Sequence, residues 1–406
     1  MEYRDLPRRL KALVLTTPPS MPDVEKEIFR SCAYQALGII WKAYGYDKTD
    51  ATEFHFISKK DEMFPPVPEI HLKWDETLAG QIVYLYNETQ RIYNGNSKDF
   101  IKDIRRSDAD GRFNEISKIK VDKKYFAATS ARIASIDIGG GTTDLIIADY
   151  SVADVFYDDV DQLLKKENGA EAGNQSGSIQ IREVLKDGFK IAGDDLVYEL
   201  LQNPIKHEFE KTNDEYWKKL FGATSGASSG NIQSRVQVVD KIFTKVAYRL
   251  ISRLEQLDKI DVSTLDSLEV IVKGSIKDFV QGTEKFALEE LNNREDLKLP
   301  SLDKVEFAES VSSYITKQLG ISFEEFLNIP LEFDIFKIDF DISQGITYDM
   351  CKNINYLNAI VNVYRCDVLL LTGRPTKIPG IRRLIEKKSS LSSRRIIPMY
   401  DYKCEG

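Results

Sequence analysis

Cysteine and histidine are scarce in this sequence. The four cysteines, Cys32, Cys351, Cys366 and Cys404, are scattered through 406 residues. None forms a CxxC pair and none clusters at metal-ligand spacing, which argues against a zinc site or a disulfide framework and for reduced thiols in a cytosolic protein. With only His55, His71 and His207, neither a histidine-rich metal centre nor a Ser/His/Asp triad is expected. His71 lies in the extended-looking stretch EIHLKW and reads as structural. Long apolar runs are missing too. No stretch approaches the roughly 20 residues that span a bilayer, and the opening MEYRDLPRRLKALVL lacks a signal peptide's apolar core and cleavage site. Nor is there an excess of positive charge. The formal net charge of -8 makes nucleic acid a poor partner, and the basic clusters at Lys387, Lys388, Arg394 and Arg395 read as solvated surface.

What is present suffices for real cores. The chain is 42% hydrophobic and 30% charged, and its length predicts two or three subdomains. Ala12 to Thr17, closed by Pro18 and Pro19, reads as a buried strand. Asp23 then caps a helix carrying Val24, Ile28, Cys32, Leu37 and Trp41. Ile82 to Tyr86 (IVYLY) is a strand candidate. Residues 97–130 are charged and mixed, with a turn at DADGR, and read as an insertion or surface hairpin. Ile133 to Asp137 and Leu145 to Ala148 are strands flanking a glycine turn.

Lys166 to Ser178 and Gly222 to Ser234 read as loops. Leu196 to Leu201 begins a helix, and Val236 to Leu257 is an amphipathic helix. Leu268 to Val272 is a strand. LEFDIFKIDFDI (Leu331 to Ile342) alternates apolar and acidic residues, as a half-exposed strand does. Val368 to Leu371 is a buried strand, with a helix following at Ile381, Leu384 and Ile385.

The chemistry concentrates in Asp137-Ile-Gly-Gly-Gly-Thr-Thr-Asp144. Glycines between two strands remove side chains, so backbone N–H groups can approach an anion closely. Thr142 and Thr143 add hydroxyl donors. Asp137, at the strand end, is placed to hold a Mg²⁺ that keeps most of its waters. A tight hairpin with a glycine bulge is the alternative.

DIGGGTTD closely resembles the second phosphate motif of the actin, hexokinase and DnaK-type chaperone superfamily. Four further stretches follow in the same order. VLTTPPSMPDVEKEIFRSCAYQALGI resembles a strand, proline turn and helix of the chaperones. LYNETQRIYNG resembles their connecting motif, with Glu88 on its glutamate and Gly95 on its glycine. FKIAGDDLVYELL places Gly193 on a glycine and Asp194 on the acid after it. LLLTGRPTKIPGIRRLI resembles the adenosine motif, with Gly373, Lys377 and Pro379 on its glycine, basic residue and proline. Within the superfamily the chain looks most like the virulence-factor SrfB family, on PRRLKALVLTTPPSMP, LTGRPTKIPGI and RRIIPMYDYKCEG.

The resemblance implies an α/β, actin-like ATPase (ribonuclease H-like) fold of two lobes, with the N-terminal lobe incomplete. Lobe I would occupy residues 1–130 and lobe II residues 131–406, with a variable subdomain at about 202–330. ATP or ADP with Mg²⁺ would be the cofactor. Gly139, Gly140, Gly141, Thr142 and Thr143 would wrap the phosphates, and Asp137 would ligate Mg²⁺ through water. Glu88 and Thr142 would orient the attacking water and the terminal phosphate. Gly193, Asp194 and Gly373 would flank the nucleoside, with Lys377 along the purine face. The pattern also departs from the family. No Asp-x-Gly-Thr-like first phosphate motif precedes Ala12, and DISQG (Asp341 to Gly345) does not replace it, so the chain is expected to be a fragment of a longer protein. Arg374 and Pro375 stand where glycine and serine are usual, and Arg374 would clash with the base or stack on it.

The leading functional expectation is a slow Mg-ATP-hydrolysing conformational switch acting on an unidentified protein partner. A non-catalytic nucleotide-binding scaffold, a metabolite kinase and a filament former are the alternatives. No catalytic aspartate base for a kinase is identifiable.

Overall fold

The structure, a computed structural model, describes residues 10–19, 21–43, 68–106, 130–152, 179–222, 229–261, 263, 269–302, 306–345 and 349–402. It is a mixed α/β protein with open sheets. The chain divides into two units. One comprises residues 1–136 and 144–188, the other residues 137–143 and 189–405.

In the first unit, β-branched residues favour the strand β1 (Ala12–Thr17), and the prolines that follow cannot extend a ladder. Helix α1 (Asp23–Ala43) has Asp23 and Glu25 in its first turn and Lys42 in its last, matched to the helix dipole. Strand β2 (Glu69–Asp75) contains His71 and runs parallel to β1, with Ala12 opposite Glu69 and Thr17 opposite Asp75.

Helix α2 (Glu76–Asn87) leaves β2 without a loop and swallows the expected strand Ile82 to Tyr86. Its buried residues Thr77, Leu78, Gln81, Tyr84 and Leu85 recur with helical spacing, whereas Val83 and Tyr86 face solvent. A five-residue apolar run fits either period, and here the longer helical stripe prevails. The helix continues as a π turn over Glu88–Ile92 and ends at Asn94 and Gly95, both left-handed. Helix α3 (Ser97–Ile104) follows, capped by the Asn96 side chain, so these residues are helical rather than a hairpin. The expected turn at Asp108 to Arg112 and the loop at Lys166 to Ser178 lie outside the described residues.

Strands β3 (Ser130–Ile138), β4 (Thr143–Val152) and β5 (Ile179–Phe189) are neighbours in that order. β3 and β4 are buried almost throughout, which explains their near-continuous apolar sequences. The exception is charged. Arg132 donates to both oxygens of Asp149, at 2.7 and 2.9 Å, and Arg182 donates to the same carboxylate at 2.9 Å. Burial pushes the Asp149 pKa up, but the Arg132 and Arg182 guanidiniums outweigh it and leave it lowered.

The second unit opens, after the 137–143 turn, with α4 (Gly193–Leu200), a π turn at Leu201–Ile205 and α5 (Lys206–Glu210). Helices α6 (Tyr216–Phe221) and α7 (Ser229–Val238) follow, and a second π turn at Val239–Phe243 joins α7 to α8 (Thr244–Leu254). The expected amphipathic helix therefore begins earlier, at Ser229, inside the stretch read as a loop. Residues 223–228 of that stretch lie outside the described residues. The wider π turn rephases the helix so that Ile242 and Phe243 are both buried. Phe243 packs with Phe209, Trp217, Phe221 and Phe326 at ring separations of 5.4 to 6.3 Å.

Next come β6 (Ile271–Ser275), α9 (Ile276–Gln281), β7 (Lys285–Phe286), α10 (Glu309–Leu319), α11 (Phe323–Leu327) and β8 (Pro330–Asp334). β6 lies between β7 and β8 and is antiparallel to both. The expected long strand Leu331 to Ile342 is half helix. After β8, Asp334 accepts from the Phe336 and Lys337 N–H groups and starts α12 (Ile335–Gln344). Ile335, Ile338, Asp339 and Ile342 are buried, so the alternating residues serve a helical face. The DISQG stretch is the end of this helix, closed by left-handed Gly345.

Helix α13 (Asp349–Val363), strand β9 (Val368–Thr372), helix α14 (Pro379–Lys388) and strand β10 (Ile396–Pro398) complete the unit, with β10 parallel to β9. Asp339 of α12 accepts from the Gly380 N–H at 2.6 Å in the first turn of α14.

Arg132→Met should lower the unfolding free energy in urea by about 3–5 kcal/mol, because it strips a buried carboxylate of its main partner. The contribution of Asp149, whose pKa is lowered, is present above its unfolded pKa and is lost as pH falls through its folded pKa. The variant should therefore differ least from the parent protein in strong acid.

Candidate functional site

The second unit gathers three chain turns at one place, and each is held by backbone contact. The first follows β3. Gly139 N–H donates to Thr142 O at 2.8 Å and closes the glycine turn. The second precedes α4. Gly193 N–H donates to Gly139 O at 3.0 Å and Asp194 N–H to Gly140 O at 2.8 Å. Thr143 Oγ1 adds a bond to Ile191 O at 2.7 Å. The third follows β9, where Gly373 has a φ of 86° and lies against Ile138.

These glycines do different work. A Cβ on Gly373 would lie 2.0 Å from Ile138 O, and one on Gly193 would lie 3.0 Å from Gly139 O and 3.3 Å from Pro375 Cγ. Gly373 is therefore demanded by the protein's own packing, and Gly193 is tightly packed. Gly139 is also tight, its Cβ position being 3.1 Å from Thr142 O. Gly140 and Gly141 are different. Neither has a left-handed φ. A Cβ on Gly140 would meet only Asp194 Oδ1, at 3.9 Å, and one on Gly141 would meet nothing within 4 Å. Both are exposed. Among the described residues, no backbone acceptor takes their N–H groups.

Asp137 is half-buried near the end of β3, beside Thr372 at the end of β9. Burial raises its pKa, and the neighbouring Thr372 hydroxyl pulls weakly the other way. Among the described residues no three His, Cys, Asp or Glu side chains gather around a metal position. A single carboxylate suits a Mg²⁺ that keeps its water shell, and not a dehydrated cation.

Asp194 is exposed, while Asp195 caps α4 by accepting from Ala192 N–H at 2.8 Å. Arg374 turns to α8, donating from Nε to Glu255 Oε1 at 2.7 Å and from Nη2 to Ser252 Oγ at 3.0 Å. Lys377 is exposed, with its ammonium 6.0 Å from the Tyr400 ring centre. The turn residues, Asp137, Gly193, Asp194 and Gly373 thus converge within the second unit, flanked by Arg374. Glu88 belongs to the first unit, half-buried at the start of its π turn.

Sequence reading missed a polar cluster in the first unit. Thr17 and Asp75 face each other at the carboxyl ends of parallel β1 and β2, the place where open α/β sheets bind ligands. Lys186 Nζ lies 2.5 Å from Asp75 Oδ2. Thr77 and Gln81 follow on the buried face of α2, and Gln81 accepts from the Tyr150 hydroxyl. Among the described residues, Thr17 Oγ1, Thr77 Oγ1 and Gln81 Nε2 are buried without hydrogen-bond partners. The available signal was Asp75 before a helix-spaced Thr77, Leu78 and Gln81.

Fold and site define an α/β protein whose glycine turn, between two strands, is buttressed by a helix start and a strand end. A model of the family described as virulence factor SrfB matches residues 1–406. The chain belongs to the SrfB family. No curated protein matches it.

Gly373→Ala should cost more than about 2 kcal/mol in thermal or urea denaturation, since a left-handed φ and a backbone clash coincide. Gly141→Ala should stay within about 0.5 kcal/mol of the parent protein.

Proposed function

We propose that this chain carries the nucleotide-binding core of an actin-like ATPase and binds ATP with Mg²⁺ at the turn Gly139–Thr143. The observation that carries this reading is the pair Gly140 and Gly141. The fold would accept side chains there, so their absence preserves something other than packing: close access to two N–H groups that no described backbone acceptor takes. Backbone N–H groups in a side-chain-free turn suit phosphate oxygens. Asp137 supports the same reading, since one carboxylate beside the turn would hold hydrated Mg²⁺. Bound Mg²⁺ would neutralise phosphate charge, and catalysis would consist of positioning without a covalent nucleophile. A slow, switch-like hydrolysis coupled to a protein partner fits this chemistry.

Mg-ATP should raise the melting temperature of the full chain, by about 2.7 kcal/mol of stabilisation at one hundred times Kd. Gly140→Val and Asp137→Ala should each remove that shift. A shift unchanged in both variants overturns the reading. Because the Asp137 pKa is raised, the Mg²⁺-dependent part of the shift should fade on acidification at a higher pH than for an ordinary aspartate.

Phosphate release separates a switch from a non-hydrolysing scaffold. The switch reading expects Glu88→Gln to keep the ATP-induced shift and lose most of the release. Asp75→Asn tests the first unit's other acid by the same two measurements.

A further inference from the structure

The sequence at the end of β9 places an arginine where the adenosine motif it resembles has glycine, and the structure gives that arginine a defined setting. Arg374 is flanked by two contacts to the glycine turn's surroundings: Gly373 against Ile138, and Pro375 against Gly193. Its backbone therefore stands beside the residues that hold the glycine turn. Its guanidinium is bound along the edge. Nε donates to Glu255 Oε1 at 2.7 Å, Nη2 to Ser252 Oγ at 3.0 Å and, more weakly, to Glu255 Oε2 at 3.5 Å. Ser252 Oγ in turn donates to Tyr248 O at 3.0 Å, which directs its lone pairs to the arginine.

The Arg374 side chain nonetheless stays 54% exposed, and Glu255 only 18%. A guanidinium whose edge is satisfied and whose side chain remains open can offer a flat π face to a ring, which a lysine cannot do. Lys377, the basic residue expected along the base, has its ammonium 6.0 Å from the Tyr400 ring centre.

We propose that Arg374, held edge-on by Glu255 and Ser252, is the platform on which the base of the bound nucleotide stacks. Glu255 and Ser252 are positioning residues that fix its plane. This rests on the nucleotide reading above. The larger ring face of a purine gains more from such a platform than a pyrimidine does, so the site prefers ATP or GTP to CTP or UTP. The triphosphate tail, held at the glycine turn, does not depend on it.

Calorimetric titration of the full chain with Mg-ATP, Mg-CTP and Mg-tripolyphosphate tests this. Arg374→Ala should weaken ATP about tenfold, the scale of one stacking contact, and leave tripolyphosphate unchanged. Arg374→Lys should behave like the alanine variant, because charge survives and the plane does not. Glu255→Gln should produce an intermediate loss for ATP alone, with an unchanged melting temperature. If ATP affinity is unaltered or tightened in Arg374→Ala while Gly140→Val still abolishes binding, the platform is wrong and the phosphate turn stands. If Arg374→Lys restores ATP binding, a point charge and not a stacking plane is at work, and the proposal falls. If neither ATP nor tripolyphosphate binds the parent chain, the nucleotide reading fails together with it.

Discussion

Backbone pressed against backbone is the constraint on which the second unit's candidate site depends. Gly373 approaches Ile138 so closely that no side chain fits, and its left-handed φ turns the chain as β9 ends. Gly193 packs tightly against Gly139 from the start of α4, and two N–H groups of that helix start bond the turn's carbonyls. The turn is consequently held from both sides by backbone contacts, with Thr143 Oγ1 adding one bond to Ile191 O. A loop fixed in this way keeps its remaining N–H groups in place before a ligand arrives, so little ordering entropy is left to be lost on binding. The helix start, often an anion site in its own right, has turned its first two donors inward. An anion bound here would meet the turn, not the first two donors of the helix.

The contrast between the glycines also shows what can be read without a structure. The strands bounding the turn were legible, because apolar runs stop at Gly139 and resume at Thr143. The stretch from Val368 to Pro379 was legible for the same reason: Val368 to Leu371 is apolar, and Gly373 and Pro379 punctuate it. Which glycine serves packing and which serves access was not legible. That distinction depends on atoms from segments about 50 to 230 residues away, and all the glycines look alike in sequence.

Two element assignments failed for a related reason. IVYLY and LEFDIFKIDFDI both satisfy a period of two, and both also place apolar residues three and four apart. The decision came from outside the run. Thr77, Leu78 and Gln81 extend the stripe upstream in one case, and Asp334 supplies a cap in the other. The π turns add a further obstacle, since each inserts a residue into the helical phase and defeats a simple periodic count. Moving the strand end from Tyr86 back to Asp75 also changes which acid stands at a strand end. Glu88 is a helix residue, two positions beyond Tyr86 at the start of the π turn, whereas Asp75 occupies the strand end itself.

The charged clusters sort by burial into two kinds. Glu284 is fully buried and takes Arg249 and Arg253 at 2.8 Å each, with spare guanidinium donors satisfied by the Gly282, Leu297 and Pro300 carbonyls. Arg132 with Asp149 is the counterpart in the first unit. Breaking either leaves a charge in a dry interior, a cost of about 3–5 kcal/mol. Arg374 with Glu255 has similar distances but a half-exposed arginine, and such a pair contributes about 0–1 kcal/mol. Its geometry therefore does little for stability. A planar group fixed at so small an energetic gain, beside a turn kept free of side chains, is better explained by what it presents outward than by what it holds together.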